Sequence, residues 1–140
     1  MKPSFVLDCS VTMAWCFEDE TCDYTEAVLA SFESAHALVP LVWSLEVTNL
    51  LLIAGRTQRL QEADMLHFVN LLHGLSIVTE KNPIMMKDLI LLGKLHQLTS
   101  YDASYLHTAL TNGLPIATLD KKLKLAAKQA GVPLYLVKGS

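Results

Sequence analysis

Four carboxylic acids, Asp8, Glu46, Asp102 and Asp120, fall where an α/β chain would deliver side chains to one edge. Asp8 closes the apolar run Ser4-Phe5-Val6-Leu7, and Asp120 closes Pro115-Ile116-Ala117-Thr118-Leu119. Each therefore stands at the carboxyl end of a predicted strand. Glu46 interrupts residues 43–53, a helix so apolar that most of it is expected to be buried, where an unpaired charge is costly or forced neutral. Asn49 lies three residues further on, so an acid and an amide share one helix face. Asp102 opens Tyr101-Asp102-Ala103-Ser104-Tyr105-Leu106. Hard divalent cations take oxygen ligands, and Mg²⁺ keeps several waters while using only a few carboxylates. Acids gathered in this way suit metal-assisted phosphodiester hydrolysis.

Each acid also has a plainer reading. Asp8, Asp102 and Asp120 could each cap the helix that follows, and Glu46 could sit on a solvent edge. It is the four together, on strand ends and helix starts of one chain, that favour chemistry.

The elements that must position these acids alternate along the chain. Strands are expected over residues 4–7, 37–39, 75–78, 115–119 and 132–137, and helices over 10–17, 23–35, 43–57, 62–72, 83–98, 102–113 and 121–130. Buried stripes are expected at Leu66, Val69 and Leu72, and at Met85, Leu89, Leu92 and Leu95. Leu123, Ala126, Ala127 and Ala130 are set to face inward, with Lys121, Lys124 and Lys128 along the opposite side. Strands separated by helices imply parallel pairing with right-handed crossovers, hence a three-layer α/β/α sandwich around a five-stranded parallel sheet. In such sheets ligands sit beyond the carboxyl ends of the strands, where the strand order reverses.

Composition narrows the options. No linker, low-complexity tract or repeat breaks the 140 residues, so one domain over 1–140 is expected. Cys9, Cys16 and Cys22 form no CxxC pair, which points away from zinc or disulfide scaffolds and towards a reducing cytoplasm. No stretch reads as a signal peptide or a membrane span. Mean hydropathy is +0.33, high for so small a chain, and the apolar surplus predicts self-association. The net charge of −3 hides a gradient: residues 1–35 carry seven acids against one Lys, whereas residues 121–140 carry five Lys and no acid. Lys121, Lys122 and Arg56 are candidates for phosphate contacts, although solvated faces would use them equally well. The histidines lack HExxH spacing, and no GxGxxG, P-loop or GxSxG occurs.

Taken in order, Val6-Leu7-Asp8-Cys9-Ser10-Val11, Leu45-Glu46-Val47-Thr48-Asn49, Tyr101-Asp102-Ala103-Ser104-Tyr105-Leu106 and Ala117-Thr118-Leu119-Asp120-Lys121-Lys122-Leu123 resemble the PIN-domain family, in particular its VapC-type toxin ribonucleases. The resemblance implies that Asp8, Glu46, Asp102 and Asp120 form an acidic tetrad binding Mg²⁺ or Mn²⁺ for RNA cleavage. Ser10, Asn49 and Thr118 match the polar residues that accompany it. It also implies strand order 3-2-1-4-5, a homodimer, and a VapB-like antitoxin whose segment covers the acidic groove. The expected activity is endonucleolytic hydrolysis of RNA by metal-activated water, with one or two ions. Two other readings compete. A non-catalytic PIN-like module binding RNA or protein should have lost acids from the tetrad. A receiver-like phosphoacceptor should carry an acidic pair at the first strand end, where only Asp8-Cys9-Ser10 stands.

Overall fold

The computed structural model describes residues 2–139. The chain runs through β1 (Phe5–Leu7), α1 (Cys9–Ala14), α2 (Asp23–Ala30), β2 (Ala37–Val39), α3 (Val42–Arg56), α4 (Glu62–His73), β3 (Ile77–Thr79), α5 (Met86–His96), α6 (Ser100–Asn112), β4 (Ile116–Ala117) and α7 (Lys121–Gln129). The helix expected over 23–35 is α-helical only to Ala30 and then tightens into a 3-10 turn at Ser31–Glu33.

The strands form one parallel sheet in the order β3-β2-β1-β4. The fifth strand expected over 132–137 is reduced to a single parallel bridge between Ile116 and Leu134, so the sheet has four strands. Ile116 donates its N–H to the Pro133 carbonyl at 3.0 Å, and Tyr135 donates to the Ile116 carbonyl at 2.8 Å. The pairing stops there because Pro133 has no N–H to give and Leu136, at φ 60°, turns the chain out of the extended region. A strand edge two residues long at β4 offers little more to pair with.

Side-chain alternation along β1 separates the two core layers. Phe5 and Leu7 join Val11, Val28, Ala37 and Val39 on one face. Val6 turns to the other face, where Val47, Leu51, Leu106, Ile116 and Leu123 pack. All three β1 residues have no exposed surface, as expected of a strand covered by helices on both sides.

The outer helices are less buried than their composition suggests. In α3 only Val47, Leu51 and Ala54 are buried, while Leu45, Leu50, Leu52 and Ile53 are exposed, so one stripe at helical spacing packs and the rest of the apolar surface faces outward. No residue of α5 is buried, and Met85 and Leu95 of its expected stripe are exposed. In α4 the buried pair is Phe68 and Leu72, with Leu66 exposed. Helix α7 follows the expected pattern, with Leu123, Ala126 and Ala127 buried. Among the described residues no helix is long and apolar enough to cross a membrane.

Candidate active site

The strand order reverses between β1 and β4, since β1 leads to β2 and β3 on one side and β4 lies on the other. A crevice beyond the carboxyl ends of these two strands is where a ligand is expected in an open parallel sheet. Register pairs Leu7 with Ala117, which brings Asp8 and Thr118 together directly past the strand ends.

Asp8 occupies the position preceding α1, yet its side chain makes no capping bond. Its Oδ2 accepts instead from Ser10 Oγ at 2.6 Å and from Thr118 Oγ1 at 2.7 Å. The side chain is almost fully buried. Burial pushes its pKa up, the two hydroxyls pull it back, and the charge of Asp120 pushes it up again. The same hydroxyls latch the loop after β4: Ser10 Oγ accepts from the Leu119 N–H at 2.9 Å, and Thr118 Oγ1 accepts from the Asp120 N–H at 3.0 Å. Ser10 and Thr118 thus orient Asp8 and place Asp120 at once.

Asp120 does cap α7, through Oδ1, which accepts from the Leu123 N–H at 2.9 Å. The cap occupies one oxygen of an otherwise exposed carboxylate.

Asp102 is not a cap. Thr99 caps α6, its Oγ1 accepting from the Asp102 N–H at 3.1 Å, so Asp102 lies in the first turn with its carboxylate released. Burial, then the charges of Asp8 and Asp120, push its pKa up to about 6, against the opposing pull of Thr99 and Lys122. Glu46 is partly buried and accepts from the Tyr105 phenol at Oε1, 2.7 Å away. Burial raises its pKa, the Tyr105 bond lowers it, and Asp8 and Asp102 raise it further. Trp43, one turn before Glu46, anchors the start of α3 by donating Nε1–H to Thr12 Oγ1 at 3.0 Å.

Asp8 and Asp102 therefore lie within electrostatic reach of each other and of both Glu46 and Asp120, with Lys122 as the cation acting on Asp102. Among the described residues no three His, Cys, Asp or Glu side chains are drawn into a ready-made metal cluster. The donor set nevertheless fits a hard divalent cation: several carboxylate oxygens, neutral hydroxyls in support, and a surplus of negative charge for a cation to offset.

The other expected site residues fall in different places. Asn49 is exposed on α3, one turn past Glu46, and Lys121 and Lys122 are exposed on the first turn of α7. Arg56 ends α3, ten residues beyond Glu46 and so about 15 Å further along the helix axis. Tyr105 and Thr99 enter the site without having been singled out from the sequence. The pattern Thr99-x-x-Asp102 is a capping signature, and Tyr105 stands at i+3 from Asp102, hence on the same helix side.

Among curated proteins, no sequence matches this chain. The crystal structure of PAE2754 from Pyrobaculum aerophilum shares its fold, with a TM-score of 0.67 over 92% of this chain and 90% of that one, at 18% identity. The family model for the PIN domain matches residues 5–129, from the first strand to the end of α7. The members of that family are generally nucleases served by divalent metals. A match over residues 5–129, most of the chain, makes this chain a member of the PIN domain family.

Proposed function

We propose that this chain is a metal-dependent endoribonuclease, acting as a single nuclease unit over residues 1–140 and serving as the toxin of a VapBC-type pair in the cytoplasm. The observation that carries the reading is the gathering of Asp8, Glu46, Asp102 and Asp120 about the β1/β4 switch point, where burial first and the charges of neighbouring acids second raise the pKa of Asp8, Glu46 and Asp102. Asp8, Asp102 and Asp120, with Glu46 direct or through water, would hold Mg²⁺ or Mn²⁺. Such an ion supplies an activated water and positive charge against the phosphate.

The chain's own residues have separate tasks. Ser10 and Thr118 fix the Asp8 carboxylate, so that its free oxygen keeps one orientation. The Asp120 cap leaves Oδ2 for the groove. Lys122, beside Asp102, and Lys121 are placed to meet a phosphate arriving at the acids. Asn49 offers an amide on the Glu46 side. Exposed apolar side chains on α3 and α5, including Leu45, Ile90, Leu91 and Leu95, support a second copy and an antitoxin segment as protein partners.

The test is cleavage of single-stranded RNA by purified protein freed of any partner. Activity with Mg²⁺ or Mn²⁺, lost in excess EDTA, is expected. Undiminished cleavage in EDTA, or products ending in a 2′,3′-cyclic phosphate, would overturn the mechanism, because attack by water leaves no such ring.

A further inference from the structure

Positive charge is concentrated towards the C-terminus, and Lys124, Lys128 and Lys138 stand beyond the two lysines next to the acids. Between Lys121 and Ser140 there are five lysines and no acid, in a chain whose net charge is −3. Lys124, Lys128 and Lys138 border a cleft of about 350 Å³ between α7 and the segment after it, floored by Leu125, Val132 and Val137. Among the described residues none of these three lysines has a carboxylate partner: the ion pairs belong to Arg59, held by Asp19 and Glu20, and to His107 with Asp88. Lys128, in the last turn of α7, complements the helix dipole, but Lys124 in mid-helix and Lys138 beyond the helix have no such role.

The cleft and the acids share helix α7. Asp120 caps α7, and Lys121, Lys124 and Lys128 recur along one side of that helix, so the ridge starts at the acids and reaches Lys128 about 12 Å further along the axis. An apolar floor under ammonium groups suits a nucleotide, whose base covers apolar surface while its phosphate meets the charge. We propose that the cleft between α7 and residues 132–139 is a second nucleic-acid subsite, holding the single strand that leads away from the acidic groove. This rests on the nuclease reading for the identity of the strand.

The test is binding in EDTA, where no turnover occurs, followed by fluorescence anisotropy with a labelled unstructured 12-nucleotide RNA. The variant is Lys124→Gln/Lys128→Gln/Lys138→Gln in the full chain, with its melting curve as the fold control. The variant should bind the 12-mer about 10-fold more weakly, and the slope of log affinity against log salt should shrink by about 2, the value for three lost single-strand phosphate contacts. Cleavage of a dinucleoside monophosphate, whose single phosphate lies at the acids and leaves none for the cleft, should be unchanged. Unaltered 12-mer affinity, a wild type that does not bind the 12-mer, or equal losses on both lengths would each overturn the subsite. So would a polyglutamate peptide that binds as tightly as the RNA and loses affinity equally in the variant, since it would mark an acidic-protein site. Failure of the nuclease reading shows separately, as absence of cleavage of either RNA with Mg²⁺ or Mn²⁺.

Discussion

Tyr105, with no exposed surface, donates its phenolic proton to Glu46 Oε1 across 2.7 Å, joining α6 to α3 over 59 positions of sequence. The bond gives a partly buried carboxylate the donor it lacks within its own helix, and leaves its second oxygen for the groove. Tyr105→Phe keeps the ring and removes the donor. Metal affinity and cleavage should both fall by about 10–100-fold, as for other residues that orient a ligand, with a stability loss of only about 1 kcal/mol. Following the melting temperature through a Mg²⁺ titration checks this, and an unmoved midpoint would show that the phenol does not position Glu46.

Asp8→Asn and Asp102→Asn retain shape and remove one charge each. Both should reduce cleavage by more than about 100-fold, beyond the range for supporting residues. Because burial and repulsion by neighbouring acids penalise both charges, the metal-free variants should melt at the same temperature as the wild type or higher. A variant that melts lower yet cleaves normally would mean the acids are structural.

Thr118→Val keeps nearly the same volume but deletes the bonds to Asp8 Oδ2 and from the Asp120 N–H, along with a longer one shared with Ser10 Oγ. Urea unfolding should register a loss of about 1–3 kcal/mol. With only Ser10 left on Asp8, the midpoint for Mg²⁺ stabilisation should move to higher concentration. A stability loss without that movement would confine Thr118 to a structural role.

The response to pH has a definite sign. Asp102 titrates near 6 in the fold, against an ordinary value of 3.8, so between these two values the folded chain binds more protons than the unfolded one. Stability then falls as pH rises through that window, and Asp8, also shifted upward, acts in the same direction. Metal-free protein should therefore lose melting temperature between about pH 4 and pH 6 through these groups, and Asp102→Asn should flatten that slope. Saturating Mg²⁺ should oppose it, since the ion binds the ionised acids and its stabilisation, about 2.7 kcal/mol at a hundredfold excess over Kd, fades below about pH 6. Melting curves at stepped pH, with and without Mg²⁺, measure both slopes.

The sequence alone determined the parts that depend on local pattern. Short apolar runs ending in Asp8 and beside Asp120, separated by helical periodicity, dictate parallel strands with acids at their carboxyl ends, because a crossover helix returns each strand in the same direction. Only the tertiary structure decided which acids are also caps. Asp120 is one, whereas Asp102 yields that place to Thr99 and Asp8 turns to the hydroxyls of Ser10 and Thr118, the latter 110 residues away. The last strand shrank to one bridge because Pro133 and the left-handed Leu136 act on backbone geometry, which hydrophobic pattern does not report. The exposed apolar faces of α3 and α5 were equally hidden, since composition says that a side chain is apolar but not whether a partner within the chain reaches it. The Tyr105–Glu46 bond is the extreme case: either residue alone is an ordinary helix position, and their relation exists only once α3 and α6 lie side by side.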